Sequence, residues 1–206
     1  MTWTQENYRT TAEEGFPTQA QLRTLVGFAA LSFSALYFSS DVIEAVNGGF
    51  STPQLAMTYV AEAAIPFVVL GLYVVQRPSI GGVGFVGAVG YAYSYVFFAS
   101  TVVYALANST PDFDSLNDEM GAWMPIHGAI MVLAGLAFGT AVIRARVFPA
   151  WTGAALITGV VLVALTTAAP AVAQTASAGV RDLAFAAMGA RCLFDRPADR
   201  QLTDAS

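Results

Sequence analysis

Six long apolar stretches, separated by short polar connections, constrain this chain more than any other feature. At ~1.5 Å per residue in an α-helix, the first five are long enough to cross a hydrocarbon layer ~30 Å thick. The sixth contains Arg181 and Asp182 and is the weakest candidate. Stretches of this length predict an all-α, polytopic integral membrane protein with six spans, at residues 22–46, 54–75, 80–107, 122–143, 147–169 and 177–194.

The composition supports a membrane class. Of the 206 residues, 56% are hydrophobic and only 11% are charged, whereas soluble domains carry about 25% charged residues. We expect one six-helix transmembrane domain at residues 22–194. A polar N-terminal tail at 1–21 and a short tail at 195–206 flank it.

The distribution of arginines predicts the orientation of the bundle. The chain has no lysine, and with six spans and a cytoplasmic N-terminus eight of the nine arginines fall on the cytoplasmic side. Both termini are then cytoplasmic, and the protein is a multi-pass protein of the cell membrane. The opposite side carries an acidic run at 108–121. The eight are Arg9, Arg23, Arg77, Arg144, Arg146, Arg191, Arg196 and Arg200.

The ends of the chain and its net charge exclude several classes. The N-terminal 21 residues lack the order of a cleaved signal peptide, so we expect the first span to remain as a helix. The single cysteine, Cys192, allows no internal disulfide. A net charge of −5 without a basic patch argues against nucleic acid as a partner.

Short connections and small residues predict how the helices pack. Connections of a few residues make consecutive helices antiparallel neighbours. Gly81, Gly84, Gly87 and Gly90 recur every three residues, and a Gly-x-x-x-Gly motif lies at 135–139. Such faces let helices approach closely, either within one chain or in a homodimer.

Glu62 is the most informative single residue, since it is a carboxylate inside the apolar segment 55–75. A charge at that depth is costly and marks a functional site by default. Asp41 and Glu44 lie at the outer end of the first span, and His127 and Asp182 enter from the same side. Polar groups of separate helices thus converge in the outer third of the membrane, which predicts one pocket there.

The candidate site residues follow from this convergence and from helical spacing. The candidate catalytic groups are Glu62, Asp41, Glu44, His127 and Asp182. The candidate substrate-binding groups are Tyr37, Tyr59, Tyr91, Tyr95, Phe98, Tyr104, Asn108, Met131 and Arg181.

Each of these groups also has a purely structural interpretation. Asp41 and Glu44 can reach water at the helix end, and Glu62 can form a structural pair with Arg181 or His127. Arg181 and Asp182 can neutralise buried charge without binding a ligand. The aromatic residues of the third span can serve ordinary packing or the membrane interface.

We predict no metal and no cofactor. The carboxylates at 112–119 can bind a divalent cation, but no Gly-centred calcium loop is present, and an acidic outer loop is expected from the topology. One histidine cannot supply bis-imidazole haem ligation, and without lysine no retinal Schiff base forms.

The favoured function is a membrane-embedded enzyme acting on an apolar, lipid-like or isoprenoid substrate. Apolar surroundings favour the protonated form of a carboxyl group, which can then act as a general acid. Aromatic rings stabilise the carbocation that protonation creates, so acid-initiated cyclisation or isomerisation is the predicted reaction class. The alternatives are a non-enzymatic membrane binding or accessory subunit and a proton-coupled transporter of small solutes.

Overall fold

The computed structural model describes residues 18–195. The predicted tails lie mostly outside this range, at 1–17 and 196–206, and so do Arg9, Arg196 and Arg200. The described chain is all-helical, as predicted, with no strands. Its helices are α1 (Gln19–Asn47), α2 (Thr52–Val75), α3 (Gly81–Asn108), α4 (Phe113–Met120), α5 (Trp123–Ala145), α6 (Ala150–Leu165) and α7 (Ala171–Phe194).

Every predicted span coincides with one of the long helices. Within the described residues four helices, α1, α2, α3 and α5, are long and apolar enough to cross a membrane. The apolar α6 has only 16 residues, or ~24 Å. The 24-residue α7 contains the adjacent Arg181 and Asp182. The chain is therefore a helical membrane bundle, while the count of six spans remains a prediction.

Local sequence signals explain where the helices begin and end. Thr18 caps α1 through a capping box: the Gln21 backbone N–H donates to Thr18 Oγ1 (3.2 Å), and the Thr18 N–H donates to Gln21 Oε1 (2.8 Å). Gly48 ends α1 with φ of 72°, a left-handed conformation that favours glycine. Pro53 stands in the first turn of α2, where its missing N–H costs no helical hydrogen bond.

The six long helices form a closed ring. Each packs against its neighbours in the sequence, in the order α1, α2, α3, α5, α6 and α7, and α7 closes the ring against α1. The prediction that consecutive helices are neighbours is confirmed. Arginines gather at one end of this ring, where α1 begins and α7 ends, and the acidic residues of α4 lie at the other.

The arginine-bearing half of the ring is tightly packed, because glycines let the helices approach closely. A Cβ added to Gly87 of α3 would lie 2.5 Å from the backbone N of Phe138 in α5. One added to Gly139 would lie 2.9 Å from the backbone O of Gly153 in α6. Most of the glycines predicted for close packing are thus used inside one chain, whereas Gly81 has no atom of the described residues within 4 Å of an added Cβ. The largest buried side chains of this half include Leu72, Phe138 and Met188.

The acidic outer connection contains a short helix, α4, where we expected a loop. The Asp112 side chain caps α4 by accepting from the Ser115 N–H at 2.8 Å. Leu116 is buried in a small apolar cluster with Leu55, Val102 and Met124. This helix therefore covers part of the open end of the ring.

Candidate functional site

A cavity of about 1420 Å³ occupies the half of the ring that α4 covers. Side chains of all seven helices line it, together with the connection between α6 and α7. Its deepest lining residues on the six long helices are Tyr37, Glu62, Tyr95, Leu133, Val163 and Arg181. The opposite half contributes no lining residue, so the cavity lies in the half next to the predicted extracytoplasmic end.

Glu62 lies at the inner end of this cavity and is 5% exposed. Its Oε1 accepts a hydrogen bond of 2.6 Å from the hydroxyl of Tyr37 on α1. Its Oε2 is buried and has no hydrogen-bond partner among residues 18–195. One turn further along α2, Pro66 has no N–H to donate to the Glu62 carbonyl, so the helix is weakened beside the acid. Glu62 thus has one oxygen fixed by Tyr37 and one oxygen without a partner among the described residues at the inner end of the cavity.

Arg181 and Asp182 form an ion pair on α7. Arg181 Nε lies 2.9 Å from Asp182 Oδ1, and both side chains are about 5% exposed. The guanidinium carbon also lies 4.7 Å from the centroid of the Tyr37 ring, a cation–π distance. Arg181 is therefore paired within its own helix and not with Glu62. Its Nη2 has no partner among the described residues, although the side chain lines the cavity.

A second, very small cavity lies beside this ion pair. Its volume is about 10 Å³, the space of about one water molecule, and its lining includes Tyr37, Asp182 and Phe185. Asp182 Oδ2 is buried without a partner among the described residues. A single water in this space can satisfy it, so Asp182 faces the small cavity and not the large one.

Aromatic rings form one wall of the large cavity. Tyr95 contacts Tyr37 edge to face, with 6.3 Å between ring centroids, and contacts Phe98 in the same way at 5.7 Å. Tyr95 is 1% exposed, and its hydroxyl has no partner within residues 18–195. Met131 of α5 also lines the cavity, together with Phe98. These predicted substrate-binding residues do lie together.

Uncharged polar residues that the sequence analysis did not single out connect α1 and α2 near the mouth of the cavity. Gln54 Nε2 donates to Glu44 Oε2 at 3.1 Å and to Thr58 Oγ1 at 3.0 Å. Thr58 Oγ1 lies 3.1 Å from Ser40 Oγ. Half-buried Asp41 lines the cavity between this network and the inner end. Asp41 and Glu44 thus face a common cavity.

His127 lies away from the cavity. Its ring stacks on Phe97 at 3.7 Å between centroids, and its Nδ1 lies 2.9 Å from the Trp123 carbonyl oxygen. Helix α5 presents Met124 and Met131 to the cavity, whereas His127 turns towards α3. The structure does not bring this candidate catalytic group near Glu62.

Four further candidates also lie outside the cavity lining. Tyr91 is fully buried in the packed core, with its ring 5.7 Å from that of Phe185. Tyr59 and Tyr104 are 41% and 37% exposed. Asn108 is exposed and donates to the Tyr104 carbonyl oxygen at 2.9 Å. These four residues lie on other faces of their helices, so fewer of the predicted substrate-binding residues line the cavity than we expected.

The acidic outer segment uses two of its carboxylates within the fold. Asp112 caps α4, and the hydrogen bonds from Ser115 hold the pKa of Asp112 below its usual range. Glu119 Oε2 accepts from Thr110 Oγ1 at 3.1 Å. Between residues 18 and 195, no three His, Cys, Asp or Glu side chains lie close enough together to hold a metal ion.

Comparison of the chain with protein-family models, with curated proteins and with solved structures finds no match in any of the three sets. A function for this chain therefore depends on the chemistry of the cavity around Glu62.

Proposed function

We propose that the chain is a membrane-embedded enzyme that takes an apolar, lipid-like or isoprenoid molecule into the large cavity and rearranges it by acid-initiated isomerisation or cyclisation. The observation that carries the proposal is the state of Glu62: one carboxyl oxygen is fixed by Tyr37, and the other is buried and unpartnered in a residue that lines the cavity. The proposed location is the cell membrane.

The size and lining of the cavity support an apolar ligand. Ligand cavities in proteins commonly measure ~300–1,000 Å³, so about 1420 Å³ leaves space for a long chain. Phe98, Met131 and Val102 supply an apolar wall on α3 and α5, while the charged lining residues lie on α1, α2, α4 and α7. An elongated hydrocarbon with one reactive position fits this division.

The proposed reaction needs no co-reactant. Glu62 transfers its proton to an alkene carbon, or to an epoxide oxygen whose C–O bond then breaks, and a carbocation forms at the adjacent carbon. The ring of Phe98 stabilises that cation through its negative face, because Tyr37 and Tyr95 each already have one face towards the Arg181 guanidinium. Loss of a proton from a neighbouring carbon to Glu62 forms a new double bond and regenerates the enzyme. If Asp41 accepts that proton instead, the proton must pass to Glu62 before the next turnover.

The one-sided cavity favours an enzyme over a transporter. A transporter must open its site alternately to both sides, usually by movement of two repeated halves. Here the arginine-bearing half is closed by direct contacts of helix backbones at Gly87 and Gly139. An accessory subunit does not require an unpartnered acid beside a large cavity.

Deuterium incorporation tests the proposal. The purified protein in lipid nanodiscs is incubated in D₂O with C15 and C20 isoprenoid olefins and epoxides, and the products are analysed by mass spectrometry. We expect olefins to give isomeric or cyclic products with one carbon-bound deuterium. Epoxides are expected to give rearranged alcohols or carbonyl compounds, whose oxygen-bound deuterium exchanges with water. Both conversions should be absent with Glu62→Gln and unchanged with Glu119→Gln, whose carboxylate lies outside the cavity lining. A wild type that converts neither class of substrate, or a Glu62→Gln variant with full turnover, would falsify the proposal. Proton flux into vesicles, driven by a solute, would favour transport.

A further inference from the structure

Three residues that line the inner end of the large cavity each have one buried polar atom without a hydrogen-bond partner among the described residues. Glu62 Oε2 on α2, the Tyr95 hydroxyl on α3 and Arg181 Nη2 on α7 each lack a partner among residues 18–195. All three residues line the cavity and are at most 5% exposed. Burial of a polar group without a hydrogen bond is unfavourable, so a set of three indicates that something else supplies the partners.

The three groups differ in what they need. The Arg181 guanidinium has only donors, and its Nη2 needs an acceptor. The Tyr95 hydroxyl can donate to the same acceptor, since its ring centroid lies 6.0 Å from the guanidinium carbon. Tyr37 contacts both Arg181 and Glu62. Its ring centroid lies 4.7 Å from the guanidinium carbon, and its hydroxyl donates a hydrogen bond to Glu62. Arg181 Nη2 and the Tyr95 hydroxyl can thus both donate to one oxygen acceptor at the inner end.

The charges at the inner end favour a neutral acceptor. Asp182 already compensates Arg181 at 2.9 Å, so the two charges of this pair cancel. A ligand carboxylate or phosphate would bring an uncompensated negative charge into a medium of low dielectric constant. A ligand ammonium group would instead face Arg181, which cannot accept a hydrogen bond.

We infer that the inner end of the cavity binds a neutral oxygen of an amphiphilic ligand, such as an ether, epoxide, carbonyl or hydroxyl oxygen, between Arg181 Nη2 and the Tyr95 hydroxyl. This inference rests on the proposed function and names its substrate class: an apolar chain with one neutral oxygen. Arg181 and Tyr95 hold the oxygen, and Glu62 lies next to it. The apolar chain then extends along Phe98 and Met131 towards the mouth.

Binding of four matched probes tests the inference without any turnover. The probes share one C15 isoprenoid chain and end in a hydrocarbon, a methyl ether, a carboxylate or an ammonium group. Dissociation constants are measured by native mass spectrometry on the protein in detergent. We expect the ether to bind ~10-fold more tightly than the hydrocarbon, as one buried hydrogen bond to a charged donor allows, and both charged probes to bind more weakly than the ether.

Two tyrosines provide a matched pair of variants. Tyr91 and Tyr95 are neighbours on α3, with 5.2 Å between their rings, and both hydroxyls are buried and unpartnered within the described residues. Only Tyr95 lines the cavity. Tyr95→Phe is expected to reduce the preference for the ether several-fold, whereas Tyr91→Phe leaves it unchanged. Arg181→Lys keeps the charge beside Asp182 but removes Nη2, and is expected to abolish the preference.

The outcomes separate this inference from the proposed function. Equal binding of the ether and the hydrocarbon overturns the inference, and so does an equal effect of Tyr91→Phe and Tyr95→Phe. Water then fills the inner end of the cavity. Neither result contradicts the proposed function, which needs only an apolar substrate. Tightest binding of the carboxylate or the ammonium probe also overturns it. Failure of all four probes to bind overturns the inference and the proposed function together.

Discussion

At the scale of single residues, the hydrogen bond between Tyr37 and Glu62 determines how the acid is presented. The 2.6 Å bond fixes Oε1, so Oε2 is the oxygen left for a ligand. An acid held in this way loses little rotational freedom when it reacts, because its orientation is set before the substrate arrives. Tyr37 is therefore a positioning residue for the proposed reaction.

Tyr37→Phe tests this role. The variant leaves both oxygens of a buried carboxyl group without a side-chain partner, which is expected to lower the free energy of unfolding by ~1–3 kcal/mol. It is also expected to slow the proposed turnover by lowering kcat more than it changes KM. Thermal unfolding in detergent and steady-state kinetics measure the two effects. Tyr59→Phe, at a tyrosine 41% exposed, is the control and should change neither; equal effects of the two substitutions would contradict the role.

The charged residues of the site were predictable from the sequence, but the uncharged ones were not. The depth of Glu62, Asp41 and Arg181 in apolar segments was enough to place them at one site, since a charge inside a membrane segment is costly unless other polar groups meet it there. Gln54 and Thr58 carry no such signal, because amides and hydroxyls also occur at ordinary helix ends.

His127 shows why depth alone is insufficient. Its depth in α5 matches that of the other candidates, yet the ring stacks on Phe97 outside the cavity. Which face of a helix meets its neighbour depends on how all six helices pack. The spacing of Met124, His127 and Met131 does not determine that packing.

At the scale of elements, α4 is the helix that the sequence analysis missed. Its segment is short and rich in acidic residues, and these features are typical of a loop. Two signals were present: Asp112 at an N-cap position, and the apolar Phe113, Leu116 and Met120 at helical spacing. Both are weak in an eight-residue helix, and its stability depends on Leu116 packing against α2, α3 and α5.

The cap of α4 has a testable pH dependence. The hydrogen bonds from Ser115 lower the pKa of Asp112, so the ionised carboxylate stabilises the folded state. Because the folded pKa lies below the unfolded value of about 3.9, this stabilisation is complete above that value and is lost as the pH falls through the folded pKa. An NMR titration of the Ser115 amide proton should have its midpoint below about 3.9; a midpoint at or above that value would contradict the cap.

At the scale of the whole molecule, the bundle divides into a packed half and a half that contains the cavity. Glycines of α3, α5 and α6 let the helices of the first half approach closely, and the helices of the second half surround the cavity. The sequence predicted both the ring neighbours and the outer position of the polar groups. It did not predict the size of the cavity, which depends on helix angles and not on any one residue.

A pair of glycines on α3 tests the packed half. Gly87→Ala places a methyl group 2.5 Å from the backbone N of Phe138, so α3 and α5 must separate. We expect a loss of ~1–3 kcal/mol in the free energy of unfolding, as overpacked cores show. Gly82→Ala, in the same helix with no atom within 4 Å of the added group, is the control and should be neutral or slightly stabilising. Similar unfolding temperatures for the two variants would contradict the close contact of α3 with α5.

The central claim is that an apolar ligand enters the large cavity and reaches Glu62, and photolabelling measures this most directly. A C15 isoprenoid chain bearing an alkyl diazirine is irradiated with the protein in nanodiscs, and the labelled residues are located by mass spectrometry. The account predicts labels on Phe98 and Met131 that an excess of unlabelled chain removes. Labels confined to the outward-facing Phe67 and Val86, 78% and 69% exposed, and unaffected by competition, would contradict it.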